Sequence, residues 1–578
     1  MILRSRLLHY LLLLYINANE PHPPHTILNL LLKRKLTNMG NQTSSNKNET
    51  LPIDTTFHLP ANVPVWPQGG GFASGIIDLG GLKVTQISTF NKVWTTLQGG
   101  PNNAGATFFE PKGIPEGFFM LGSYSQPNNN PLFGSVLVAK DDSSEALKKP
   151  VDYTLVWSSK SQNIKQDKDG YVWLPTAPDS YKALGYVVTT TPEKPSLEKI
   201  RCVRSDLTDQ CETYSWIWGP SKKIDDKGFN VFDVRPSNRG TEAPSVLVGT
   251  FFGATGTSNN NSLPIACLKN NNFLKFSSMP NVTQIEALVK AYSPFMYLHP
   301  DEKYQSSSVY WYFLNGALLY KKGEESNPVP LDPTGSKLPQ GGGNDGTYWL
   351  DLPADKANKE RVKKGDFKTT QAYVHVKPMF GGTCTDLAMW VFYPFNGPSK
   401  AKVGLIDIPL GKIGEHIGDW EHVTLRISNF DGGLKKVYFS QHSNGQWVDA
   451  SNLEFQSGNK PVAYSSLSGH AFYPKAGLVL QGTSEIGIRN DAAKSNMVID
   501  CGVGFEIVSG DYLGSAIIEP PWLNYLREWG PKISYDFADE LNKLEKAFPA
   551  LQKLPSELLG EEGPTGPKVK RNWSGDEI

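Results

Sequence analysis

Gly414-Glu415-His416-Ile417-Gly418-Asp419-Trp420-Glu421-His422-Val423 carries an imidazole and two carboxylates at the start of an apolar alternation. From Asp419 to Ile427 the residues alternate with the period of a strand that has two unlike faces. One face carries Asp419, Glu421, Val423, Leu425 and Ile427; the other carries Trp420, His422, Thr424 and Arg426. Both carboxylates thus share the face that turns apolar further along, as where a strand leaves the core at the rim of a β-sandwich. Carboxylates this close repel unless a proton or a cation lies between them. His416, in the preceding turn, completes an O/O/N donor set. Such a set suits Ca²⁺, Mg²⁺ or Mn²⁺ and admits Zn²⁺. The plain alternative is a solvated, hydrogen-bonded acidic pair beside a loop histidine, and spacing alone does not choose between them.

Composition bounds the rest. The 578 residues call for two or three domains. With 54 Gly, 42 Pro, 14 Trp, 23 Tyr and 27 Phe, the chain reads as β-rich with many turns. Basic and acidic residues balance at 57 each, which leaves no electrostatic footprint for nucleic acid. Five cysteines, at 202, 211, 267, 384 and 501, make neither a disulfide framework nor a C-x-x-C metal pair, and point to a reducing compartment.

The expected fold is all-β: an N-terminal three-repeat module, β-prism-like, and a C-terminal β-sandwich with a terminal helix. Trp94, Trp157 and Trp218 close three similar strands 63 and 61 residues apart, and a shared core would take all three. Cys202 and Cys267 hold the place of an apolar residue in this period and read as small buried hydrophobes. The expected organisation is a leader over 1–50, the repeats over 51–283 and the sandwich with its site over 284–518. A helical segment over 519–559 and a disordered tail over 560–578 follow. In the helical segment Phe537, Leu541, Leu544 and Phe548 recur at helical spacing. Leu338–Asp345, with three consecutive glycines, reads as a mobile loop.

The N-terminus has two readings. Residues 7–16, after Arg4 and Arg6, look like the core of a signal peptide. Alternatively, Met39-Gly40-Asn41-Gln42-Thr43-Ser44 fits the N-myristoylation pattern, with Met39 as the true start and Gly40 as the acylated residue.

The segment Glu415–His422 resembles the Gly-His-Arg-His-Asp-Trp-Glu-His signature of the necrosis- and ethylene-inducing peptide-like proteins. Trp390–Pro394, Ser440-Gln441-His442-Ser443 and Gly469-His470-Ala471-Phe472 follow that family's order. Those proteins are β-sandwiches that bind a divalent cation and attack membranes through sphingolipid head groups. The resemblance implies His416, Asp419 and Glu421 as metal ligands. Asp407 is the nearest candidate for the family's further acidic ligand, and Asp301 the second. Glu415, Ile417 and Gly418 depart from the signature, and cytolysis is not carried over. His470, His442 and His299 are the remaining candidates for the site.

Over residues 51–560 the chain also resembles the plant family named for vacuolar protein sorting-associated protein 62. Ile77–Leu82, Tyr292-Ser293-Pro294, Tyr310–Gly316 and Ile413–Leu425 carry that resemblance. It implies a link to vacuolar or endomembrane traffic. The expectation is a non-enzymatic protein that binds a divalent cation, Ca²⁺ or Mg²⁺. It would be cytoplasmic and held peripherally on membrane through Gly40, with membrane lipids or trafficking proteins as partners. Two alternatives stand. In a metal-dependent hydrolase, Glu421 would be general base and His416 and Asp419 would hold a water-activating ion; no nucleophile elbow or phosphate loop accompanies it. A secreted, cytolysin-like defence protein would use residues 1–18 as its signal.

Overall fold

In the N-terminal half, three antiparallel sheets of three strands surround the tryptophans. β1 (Phe90–Thr95), β2 (Ala106–Pro111) and β3 (Tyr124–Pro127) form the first. β4 (Asp152–Ser158), β5 (Tyr171–Thr176) and β6 (Val187–Thr189) form the second. β7 (Cys211–Trp218), β8 (Phe229–Pro236) and β9 (Phe251–Thr255) form the third. Trp94 lies 5.8 Å from Trp157 and 5.5 Å from Trp218 between ring centroids, and Trp157 lies 5.5 Å from Trp218. Buried indoles need acceptors for their N–H groups. Trp94 donates to the Lys168 carbonyl at 3.0 Å and Trp218 to the Gln98 carbonyl at 2.9 Å. Gly170 lies flat under Trp94: a Cβ there would stand 2.2 Å from the ring. Cys202 and Cys267 are buried in the same cluster, as expected of small hydrophobes.

The computed structural model describes residues 50–532 except 144, 257–261, 443 and 484, and then 543–546, 548, 551–552 and 563–577. Met39, Gly40 and the rest of the expected leader up to residue 49 lie outside the described residues, as do Phe537 and Leu541. Among the described residues no helix is long and apolar enough to cross a membrane. The chain is all-β in character, with short helices placed among many antiparallel sheets.

One helix, α1 (Val282–Tyr292), begins with a reciprocal cap: Asn281 accepts from the Gln284 N–H, and the Gln284 side chain accepts from the Asn281 N–H. It stops before Pro294, whose ring disfavours helix in the residue ahead of it. Its Ile285, Leu288, Val289 and Tyr292 pack on the largest sheet. That sheet holds β10 (Ala372–Met379), β11 (Cys384–Asn396), β12 (His416–Ser428), β13 (Leu434–Gln441), β14 (Asn444–Asp449) and β15 (Phe505–Ser509). Its order is β14-β13-β12-β11-β10-β15, antiparallel except between β10 and β15.

Both faces of this sheet are covered. Val391, Tyr393, Val423, Leu425 and Ile427 join the core under α1. Trp390, Phe392 and Trp420 join a second, aromatic core with Trp522, Trp529 and Trp573 on the opposite face. The sandwich rim expected at Asp419 is therefore closed on both sides.

Two expectations are corrected here. The chain end expected as a disordered tail over 560–578 packs against the sheet at 563–577. Trp573 stacks on His375 at 3.7 Å, and Glu577 is buried. The cause is complementarity: an indole meets an aromatic core, and two carboxylates meet buried cations. The glycine loop at Leu338–Asp345 is tied down at its middle, where Gly341 donates to the Asn524 carbonyl at 2.7 Å and accepts from Leu526. In the helical segment, residues 543–546 are helical, and Leu544 and Phe548 pack against Ala401, Ile408 and Ile413.

Candidate functional site

Strand β12 sorts its polar residues onto two faces with different partners. On the α1 side stand Asp419, opposite Tyr393 of β11, and Glu421, opposite Val391. Both are buried. Asp419 Oδ2 accepts from His470 Nδ1 at 3.0 Å. His470 is fully buried, stacks on Tyr393 at 3.8 Å and directs Nε2 at the Tyr304 carbonyl at 3.0 Å. Its turn is strained: Ser468 and His470 have φ of 70° and 58°, in the left-handed region that side chains rarely adopt. Glu302 fixes this turn. Its carboxylate accepts from the Ser468 N–H at 2.6 Å and the Tyr304 N–H at 2.8 Å, and lies 3.9 Å from His470 Nε2.

The two carboxylates titrate apart. Burial pushes Asp419 up, but the hydrogen bond from His470 and the charges of His416 and His470 outweigh it, and the net shift is downward. Glu421 is pushed up to about 8, first by burial and then by the charge of Asp419, against the hydroxyl donated by Ser440. An unlike pair of this kind is the usual outcome for close acids in a dry site. His416 donates from Nδ1 to the Gly418 carbonyl at 2.9 Å, and its Nε2 has no hydrogen-bond partner among the described residues. Burial holds its pKa below the ordinary value. Gly418 takes the place of a histidine in the resembled signature for a steric reason. It has φ of 72°, and a Cβ there would stand 2.4 Å from the Trp529 carbonyl oxygen.

The expected site residues divide accordingly. Asp419 and His470 are in direct contact, and Glu421 and His416 lie within electrostatic reach of Asp419. Asp407 sits in a separate four-stranded sheet and pairs with Arg489. Asp301 turns outward with its side chain 81% exposed, and its N–H donates to His299 Nδ1. His442 faces Asn490 at 3.0 Å. Sequence reasoning missed Glu302, the neighbour of Asp301, and the supporting roles of Tyr304, Tyr393 and Ser440. The acidic pair in His299-Pro300-Asp301-Glu302 was the available signal for Glu302. Among the described residues no three acidic, histidine or cysteine side chains surround one point closely enough to hold a metal ion.

The other face of β12 is a buried charge network. Arg426 forms a two-pronged bond to Asp386 at 2.9 and 2.7 Å and also reaches Asp576 at 2.6 Å. Glu577 accepts from Thr424 at 2.7 Å and Asn572 at 2.6 Å, and stands 3.1 Å from His422 Nε2. Lys377, wholly buried, lies 3.9 Å from Glu577 and donates to the carbonyls of Asn572 and Gly575 at 2.6 and 2.8 Å. The terminal segment is thus clasped by charge as well as by Trp573.

No curated protein matches the chain. Among solved structures, GNIP1Aa from Chromobacterium piscinae is similar at 22% identity over 33% of this chain, with a TM-score of 0.28. This chain spans only 38% of that protein's length. Necrosis and ethylene inducing protein 2, from the causal agent of cocoa's witches broom disease, is similar at 16% identity, covering 32% of this chain and 67% of its own, with a TM-score of 0.18. The family model described as vacuolar protein sorting-associated protein 62 matches residues 53–577, nearly the whole of the chain described above, and the chain belongs to that family.

Proposed function

We propose that the chain is a peripheral binding protein of endomembranes that engages anionic lipid head groups through a divalent cation at Asp419 and Glu421. The observation that carries this reading is the placement of two buried carboxylates on one strand face, with His416 within electrostatic reach of Asp419. A hard cation suits these donors, Ca²⁺ or Mg²⁺ above all. They are not gathered around one point, so the cation would complete the site rather than enter a finished cage. It would supply positive charge for a phosphate-bearing head group. His470, held by Tyr304 and stacked on Tyr393, fixes Asp419 from behind. Gly40 would add an acyl anchor; one myristoyl chain alone binds membrane marginally, so a second contact is what the folded part would contribute.

The hydrolase reading has less behind it: neither a nucleophile elbow nor a phosphate loop accompanies the acidic pair.

Flotation with phosphatidylserine liposomes tests the proposal. The wild-type chain is expected to bind at least about tenfold more tightly with Ca²⁺ or Mg²⁺ than with chelator, a difference of about 1.4 kcal/mol. Asp419→Ala/Glu421→Ala is expected to lose that cation dependence. Equal binding by variant and wild type, with both folded by circular dichroism, would remove the cation from the mechanism.

A further inference from the structure

A cavity of about 430 Å³ lies between the tryptophan-centred sheets and the large sheet, away from Asp419 and Glu421. Its aromatic lining includes Tyr214 and Trp216 of β7, Phe380 in the turn after β10, and Trp447 of β14. Its volume falls in the range of small-molecule sites.

The charges on its walls are already matched. Arg426 is held by Asp386 and Asp576, and its guanidinium lies between Phe380 at 4.6 Å and Trp447 at 4.1 Å. Lys436 pairs with Asp449 at 3.1 Å, and Arg235 with Glu212 at 2.9 Å. Asp233 accepts from the Ser215 hydroxyl at 2.5 Å and shares the charge of Lys436 with Asp449. An anionic or cationic ligand would have to break one of these pairs to gain a partner. A hydrocarbon ligand would strip water from ammonium and carboxylate groups without replacing it.

One donor is unmet. Trp216 Nε1 is buried and has no hydrogen-bond partner among the described residues. Such a group costs free energy until a water or a ligand accepts from it. The mouth carries Tyr214, 47% exposed, with the side chains of Lys436 and Asp449 at 42% and 44%.

We infer that this cavity binds a neutral, polyhydroxylated ring of the saccharide class. The C–H face of such a ring packs on an aromatic side chain, and its hydroxyls donate to Asp449 and Asp233 and accept from Lys436. No net charge is required. The inference stands apart from the cation site and does not depend on it.

The test is saturation-transfer NMR and tryptophan fluorescence on the full chain, with glucose, mannose, galactose and the disaccharides maltose and lactose as probes. At least one is expected to bind with Kd on the order of 1 mM or tighter. Tyr214→Ala and Asp449→Asn, both at the mouth and outside the core, are expected to weaken that binding tenfold or more with thermal unfolding unchanged. Absence of binding by every probe would overturn the inference. So would binding that neither substitution weakens, or a preference for glucose 6-phosphate or a fluorescent fatty acid over the neutral sugars.

Discussion

Glu577→Ala is expected to destabilise the protein by about 3–5 kcal/mol, the usual cost of removing one partner from a buried ion pair. The side chain is 1% exposed, and Lys377 beside it is wholly buried. Without Glu577, the Lys377 ammonium keeps two backbone carbonyls but loses its nearest carboxylate, and Thr424, Asn572 and His422 lose their acceptor. Glu577→Gln keeps the shape and one acceptor oxygen, so its loss should be smaller. Urea unfolding at neutral pH reads both, and an unchanged midpoint for the alanine variant would contradict the account. A pH dependence follows. Burial pushes Glu577 up, but the charges of His422 and Lys377 outweigh it and hold the carboxyl well below its ordinary 4.5. A depressed folded-state value stabilises fully above the unfolded value, and the contribution is lost as pH falls through the lower, folded one. Wild type should therefore lose stability on acidification below about pH 4.5 more steeply than Glu577→Ala.

Trp218→Ala is expected to cost about 3–5 kcal/mol, as for large aromatic truncations in a packed core. Trp218 is fully buried, with Trp94 and Trp157 each 5.5 Å away and Phe108 and Phe229 at 6.3 and 6.4 Å. The Gln98 carbonyl also loses its indole donor. A hole between three sheets cannot close by shifting one of them. Trp216, on the same strand but lining the cavity, is the control: Trp216→Ala removes an indole with an unmet donor and should cost less. Near-ultraviolet circular dichroism with urea unfolding would separate the two. Comparable losses would mean that the three tryptophans do not form a common support.

The alternation over Asp419–Ile427 was enough to place β12 and to assign its residues to faces, because a period of two is local. It could not show what covers each face. His422, Thr424 and Arg426 meet residues 563–577 while Trp420 meets Trp522 and Trp529, and the polar run around Asp576-Glu577 looks like solvated chain until its buried cations are seen. Asp301 and Glu302 are neighbours of the same chemistry, and the turn alone decides that Glu302 enters the site and Asp301 leaves it. Asp407 lies close to His416 in sequence, but a hairpin carries it to Arg489. His470 was within reach of sequence reasoning, since it stands in a Gly-His turn. Its tie to Asp419 was not, because a strained turn is specified by packing around it.

The clasp at 563–577 also sets an order of events during protein synthesis. The strands of the large sheet leave the ribosome before the segment that neutralises Lys377. Until Trp573 and Glu577 emerge, one side of a complete sheet presents Trp390 without its indole neighbour and Lys377 without its carboxylate, a surface of the kind that chaperones hold and that aggregates when they do not. Sealing of the sheet thus waits until after all its strands are made: a chain that stops short of Trp573 has its strands but not the piece that seals them.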